Sequence, residues 1–167
     1  MQRKPRLNNQ SSKFTLVRWK IKGLDVARLY NVRHNLDGNP TMPMILPEEL
    51  ASKSVIPAIR ALIVKRLVEE HGMTQQAAAK CLGVTQPAVS KYLHHKRGRA
   101  IRLSGITEID QATSEIAKMV SHKAQPMEIM SKIEAACEYL RRNRYMCELH
   151  KRLEPEFDVN SCHVCER

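Results

Sequence analysis

From residue 54 onward, apolar side chains recur at helical spacing. Ile56, Ile59, Ile63 and Leu67 fall at i, i+3, i+7 and i+11, which places them on one face and predicts a helix over 54–71. Pro57 is expected in the first turn, where a missing N–H costs nothing, and Gly72 follows the last residue as a stop. Thr74 is suited to cap a second helix over 75–82, which Gly83 closes. Thr85 is suited to cap a third, with Pro87 in its first turn, running to about His95. Thr107 and Asp110 stand at capping-box spacing, with aspartate for the usual glutamate, ahead of a face of Ile109, Ala112, Ile116 and Met119. A further helix begins near Pro126, presents Met130, Ile133, Cys137 and Leu140 on one side, and stops near Tyr145. Beyond it the chain shows no period. Residues 1–43 lack a sustained period too and carry the turn-forming "DGNP". No internal repeat or low-complexity tract interrupts the pattern.

Composition narrows the class. Aromatic residues make up only 4% of the chain, so its core must rest on Ala, Ile, Leu, Val and Met, which favours packed helices over a sandwich or barrel. The expected fold class is all-α: a helix-turn-helix bundle, then linking or dimerising helices, then a small Cys/His metal knuckle. The domains read as a basic arm (1–43), a DNA-binding unit (44–102), linking helices (103–145) and a cysteine-rich tail (146–167). Three readings of the arm stand open: a disordered phosphate-tracking segment, a transit-like peptide, or an extension upstream of a start at Met42 or Met44.

Charge adds a partner. There are 28 Lys and Arg against 17 Asp and Glu, a net charge of +11. Residues 1–41 carry +7, residues 42–102 carry +6 and residues 103–167 carry −2. A polyanion, nucleic acid first, should therefore meet the first two thirds of the chain. No run of about 18 apolar residues spans a bilayer, and no signal peptide precedes a cleavage site, so a cytoplasmic protein with reduced cysteines is expected.

The stretch "TQQAAAKCLGVTQPAVSKYL" meets the demands of a DNA-binding helix pair. Ala78 and Ala79 let the second helix pack close, and Gly83 tolerates the positive φ of the turn. Val84, Val89 and Tyr92 can turn inward, with Leu93 at the rear, while Gln86, Ser90 and Lys91 face out. This pattern resembles the helix-turn-helix of the lambda-repressor and Cro-like family over about residues 55–100, carried by Ala79, Gly83, Val84, Val89 and Tyr92. The resemblance implies a recognition helix in the major groove. Carried over by position, Thr85, Gln86, Pro87, Ser90 and Lys91 face DNA. Gln86 is the candidate base reader, since glutamine bonds adenine at two points. Lys91, Lys96, Arg97 and Arg99 are expected to grip phosphates.

The tail reads Cys147-x-x-His150, eleven residues, then Cys162-x-x-Cys165. Two pairs with two-residue gaps suit a tetrahedral Cys3His zinc site. An iron–sulfur cluster on Cys147, Cys162 and Cys165, completed by His150, His163 or Cys137, is the alternative. Cys137 reads first as a core thiol and Cys81 as a small structural residue. Residues 44–167 also resemble archaeal predicted transcriptional regulators, through Leu46, Pro47, Glu48 and "SVIPAIRALIVKRLVEEHGMTQ". That resemblance implies a transcription factor with a metal or iron–sulfur tail. Some relatives carry Cys where Glu48 stands.

The expected function is sequence-specific DNA binding by a homodimer on a palindromic operator, with metal or redox sensing by the tail. The rivals are a metal-stabilised adaptor for RNA or protein and a thiol oxidoreductase. No Ser–His–Asp arrangement, phosphate loop or paired carboxylate points to an enzyme, and no membrane partner is expected.

Overall fold

The computed structural model describes residues 20–21, 24–25 and 45–166. The chain divides into two compact units, Met1–Pro43 and Met44–Arg167. In the first, strand β1 (Lys20–Ile21) pairs antiparallel with β2 (Leu24–Asp25), Lys20 opposite Asp25 and Ile21 opposite Leu24. The arm, transit and start-site readings lie outside the described residues.

The second unit is built of helices joined by turns and loops. Helix α1 (Pro47–Leu50) runs through a π-helical turn (Ala51–Val55) into α2 (Ile56–Glu69). Then follow α3 (Gln75–Cys81), α4 (Gln86–Leu93), α5 (Thr107–Ser121), α6 (Pro126–Arg142) and α7 (Cys147–Leu153). A 3-10 turn, Val164–Glu166, follows them.

Helix α2 is the centre. Ile59, Ile63, Val64 and Leu67 are fully buried, and each such side chain contributes about 1.5–3 kcal/mol of transfer free energy. Ile56, expected on the same face, is only half-buried. Pro57 stands in the first turn of α2, as expected, but α2 is not the start of the helical run. Helical backbone precedes it, and the Ile56 N–H bonds the Ala51 carbonyl five residues back. A proline ring collides with the carbonyl four residues upstream in a regular helix, and the wider π turn just ahead of Pro57 accommodates it.

Local signals account for the next two helices. Thr74 Oγ1 accepts from the Ala77 N–H at 3.1 Å and caps α3. Thr85 takes the N-cap position of α4 in extended backbone but makes no side-chain cap bond. Gly83 (φ +62°) makes the turn between them. Val64, Ala79, Ala88, Val89 and Tyr92 form one buried cluster, with Ala61, Leu82, Val84 and Leu93 packed around it.

The expected capping box of α5 does not form. Ile106 is the N-cap, and Asp110 Oδ2 accepts instead from the Gly105 N–H at 3.2 Å. The other Asp110 oxygen is drawn to Arg66, whose Nη2 also donates to the Asp110 carbonyl while its Nε donates to Thr113 Oγ1. Arg66 thus ties α5 to α2, so helices assigned by sequence to separate segments share a core. On α6 the buried face is Ile129, Ala136, Cys137 and Leu140, not one containing Met130, which is 67% exposed. One residue on a helix is about 100° of rotation, enough to move Met130 to solvent.

Candidate nucleic-acid interface and the cysteine tail

The apolar rear of α4 decides what its front presents. Val89 and Tyr92 are buried against α2 and α3, which leaves Thr85, Gln86, Pro87 and Lys91 exposed and Ser90 half-buried. Pro87 lies in the first turn of α4, where its lack of an N–H leaves no bond unmade. Lys96, Arg97 and Arg99 are exposed on the loop that follows.

That loop is built, not loose. The N–H groups of Lys96 and Arg97 both donate to the Lys91 carbonyl, at 2.8 and 3.2 Å. His95 adopts a left-handed φ of 53°, which turns the chain out of the helix. The Arg97 guanidinium lies 5.5 Å above the Tyr92 ring centroid, a cation–π contact. Tyr92 is 2% exposed, and its hydroxyl is buried with no hydrogen-bond partner among the described residues.

Sequence reasoning missed Gln75. Its Oε1 accepts from Gln86 Nε2 at 2.8 Å. Both glutamines are the first residue of a helix directly after a threonine, so their equivalent placement was a visible signal. The bond commits one amide hydrogen of Gln86 and leaves its other hydrogen and its Oε1 facing outward. An adenine edge asks for that donor and acceptor pair.

The tail departs from expectation in two ways. First, Cys147 and His150 lie on a helix, α7, where no element was predicted. Leu149 and Leu153 anchor it, a pattern too short to stand out as a period. Second, one ring nitrogen of His150 is engaged by a carboxylate. Its Nε2 lies 2.7 Å from Glu154 Oε2, and its ring stacks on Phe157 with centroids 4.7 Å apart. Glu154, also buried, accepts from the Ile45 N–H at 2.9 Å. His150 is thus part of a buried polar link between α7 and the start of α1.

Arg144 organises the rest. From a left-handed φ of 61°, it donates to the carbonyls of Val159 and Cys162 and pairs with Glu166. Glu166 in turn accepts from His163 Nδ1 at 2.8 Å, and the His163 bond, then Arg144, hold its carboxyl below the usual range. Cys147 and Cys162 are half-buried and Cys165 is buried. Burial pushes the Cys147 thiol up, and Arg144 opposes the shift. Burial, then the neighbouring Cys147 and Cys162, pushes Cys165 up. Among the described residues no three His, Cys, Asp or Glu side chains are arranged to hold a metal ion, and the four-ligand set of Cys147, His150, Cys162 and Cys165 is not assembled. Cys137 is a core thiol pushed up to about 11, mainly by burial.

No helix among the described residues is long and apolar enough to cross a membrane. Neither a curated protein nor a solved structure matches the chain. Residues 60–121 match the model of the Cro family, a span that runs from within α2 to the end of α5 and so takes in the whole α3–α4 pair.

Proposed function

We propose that the protein is a sequence-specific DNA-binding transcription regulator that works as a homodimer. The observation that carries the reading is the paired Gln75 and Gln86 at the exposed head of α4, over an apolar rear and beside a cationic loop. Such a helix can enter the major groove, with Gln86 reading a base while Lys91, Lys96, Arg97 and Arg99 hold phosphates. Enrichment of duplexes from a random pool tests it. A shared motif that Gln86→Ala binds more weakly, with random duplex bound as before, is the expected result. Tighter binding to RNA than to any duplex at matched salt overturns it in favour of an adaptor. For the homodimer, the support is a pair of neighbouring exposed methionines on α6, Met127 (79%) and Met130 (67%). Sedimentation should give twice the chain mass.

The tail supports a finer proposal, that zinc or an iron–sulfur cluster links metal or redox state to DNA binding. Its support is the Cys147-x-x-His150 and Cys162-x-x-Cys165 spacing, with Arg144 bonded to the Cys162 carbonyl. The bond from His150 Nε2 to Glu154 leaves Nδ1 as the nitrogen for a Cys3His form of the site, with Glu154 orienting the ring. Metal analysis and a visible spectrum of protein purified without oxygen decide it. Brown protein with iron and sulfide means a cluster, and colourless protein with one zinc per chain means a knuckle. Protein free of both leaves Arg144 as the organiser of the tail.

A further inference from the structure

In the loop after α4, a glycine lies against α2. Gly98 has φ +75°, and a Cβ there would stand 2.5 Å from the Pro57 carbonyl oxygen and 2.9 Å from the Ala61 Cβ. No other glycine of the described residues is so placed. Gly72, Gly83 and Gly105 also have positive φ, but a Cβ on any of them meets nothing within 4 Å. At those three positions glycine answers the turn alone. At Gly98 it answers both the turn and a backbone packed directly on a helix.

The position of that approach matters. The loop is held at its start by the bonds from the Lys96 and Arg97 N–H groups to the Lys91 carbonyl, and by Arg97 over Tyr92. Packing at Gly98 fixes its far side. Lys96 and Arg97 are therefore held on a backbone fixed at both ends, beside the exposed face of α4. A cation on a fixed backbone loses less freedom when it meets a phosphate than one on a free loop.

We propose that Gly98 is a positioning residue for phosphate binding: its missing side chain seats the loop on α2, and this seating holds Lys96 and Arg97 where a duplex backbone passes α4. The inference rests on the DNA-binding reading. It makes Gly98 a determinant of affinity common to all sequences, and not of preference among them.

The test uses the full chain and two fluorescent duplexes, one of random sequence and one enriched from a random pool by the wild-type protein. Gly98→Ala is compared with Gly72→Ala, which carries the same left-handed strain without the collision. Gly98→Ala should weaken both duplexes by the same factor. It should also flatten the plot of log affinity against log salt by roughly 0.9 for each phosphate that the variant no longer neutralises. Gly72→Ala should leave that slope alone. A wild-type slope in Gly98→Ala, or a change in the ratio between the two duplexes, overturns the proposal. Should Gly98→Ala not fold, as judged by circular dichroism, Arg97→Gln on the intact backbone must flatten the slope by about 0.9. An unchanged slope there overturns the proposal as well. If wild-type protein binds neither duplex, the DNA-binding reading fails and this inference with it; if it binds and Gly98→Ala behaves alike, only this inference fails.

Discussion

Removing the Gln75 side chain separates base reading from phosphate holding. The bond from Gln86 Nε2 to Gln75 Oε1 is 2.8 Å long, neutral and at the surface. A bond of that kind contributes about 0.5–1.5 kcal/mol net. Without it the Gln86 amide must be ordered at the moment of binding. Gln75→Ala should therefore weaken the preferred duplex by about 0.5–1.5 kcal/mol, roughly twofold to twelvefold. Gln86→Ala removes the reader itself and should cost about 1–3 kcal/mol. The double variant should bind like Gln86→Ala alone, because Gln75 acts through Gln86. The assay is fluorescence anisotropy at fixed salt on preferred and random duplexes, closed as a double-mutant cycle. Neither single change should alter binding to random duplex. Additive losses on the preferred duplex, with coupling below about 0.3 kcal/mol, would refute the argument. So would an equal loss from Gln75→Ala on random duplex, which would make Gln75 a phosphate ligand in its own right.

Three further outcomes follow from groups away from that surface. Tyr92→Phe removes a buried hydroxyl that has no partner among the described residues, so thermal or urea unfolding should show stability unchanged or raised by about 1 kcal/mol, and a loss of that size would mean the hydroxyl is satisfied in solution. His150→Ala breaks a buried bond to Glu154 and should cost about 1–3 kcal/mol in urea unfolding, equally with and without a metal chelator; a loss confined to chelator-free protein would make His150 a ligand. The Cys137 thiol, raised from 9.0 to about 11, favours the folded state fully below pH 9, and that contribution is lost as pH climbs towards 11. Stability measured across that window should fall in the wild type and fall less in Cys137→Ala, and parallel curves would refute the assignment.

What could be read from the sequence alone was set by neighbours on the chain. A helix that buries one face must repeat its apolar residues every three or four positions, so α2, α3, α4, α5 and α6 were legible from Ile59, Ile63 and Leu67, from Ala78 and Ala79, from Val89 and Tyr92, and onward. Thr74, Gly72 and Gly83 punctuate those helices within one turn of themselves, and cap and stop chemistry is local. The outward set on α4 followed from the inward set by the same geometry.

Tertiary structure decided every choice between competing partners. Asp110 was at capping distance along the chain, but Arg66, 44 residues away, and the Gly105 N–H took its oxygens. His150 takes Glu154, one turn on, as the partner of its Nε2, and Glu154 is itself fixed by Ile45, 109 residues distant. Met130 fitted the apolar period of α6 as well as Ile129 did, and only the packing of α6 on its neighbours selected Ile129. The seating of Gly98 on Pro57 could not be read from either segment alone. Periodicity records which residues share a face. Which donor meets which acceptor, and which of two adjacent apolar residues is covered, depends on what long-range packing brings beside them.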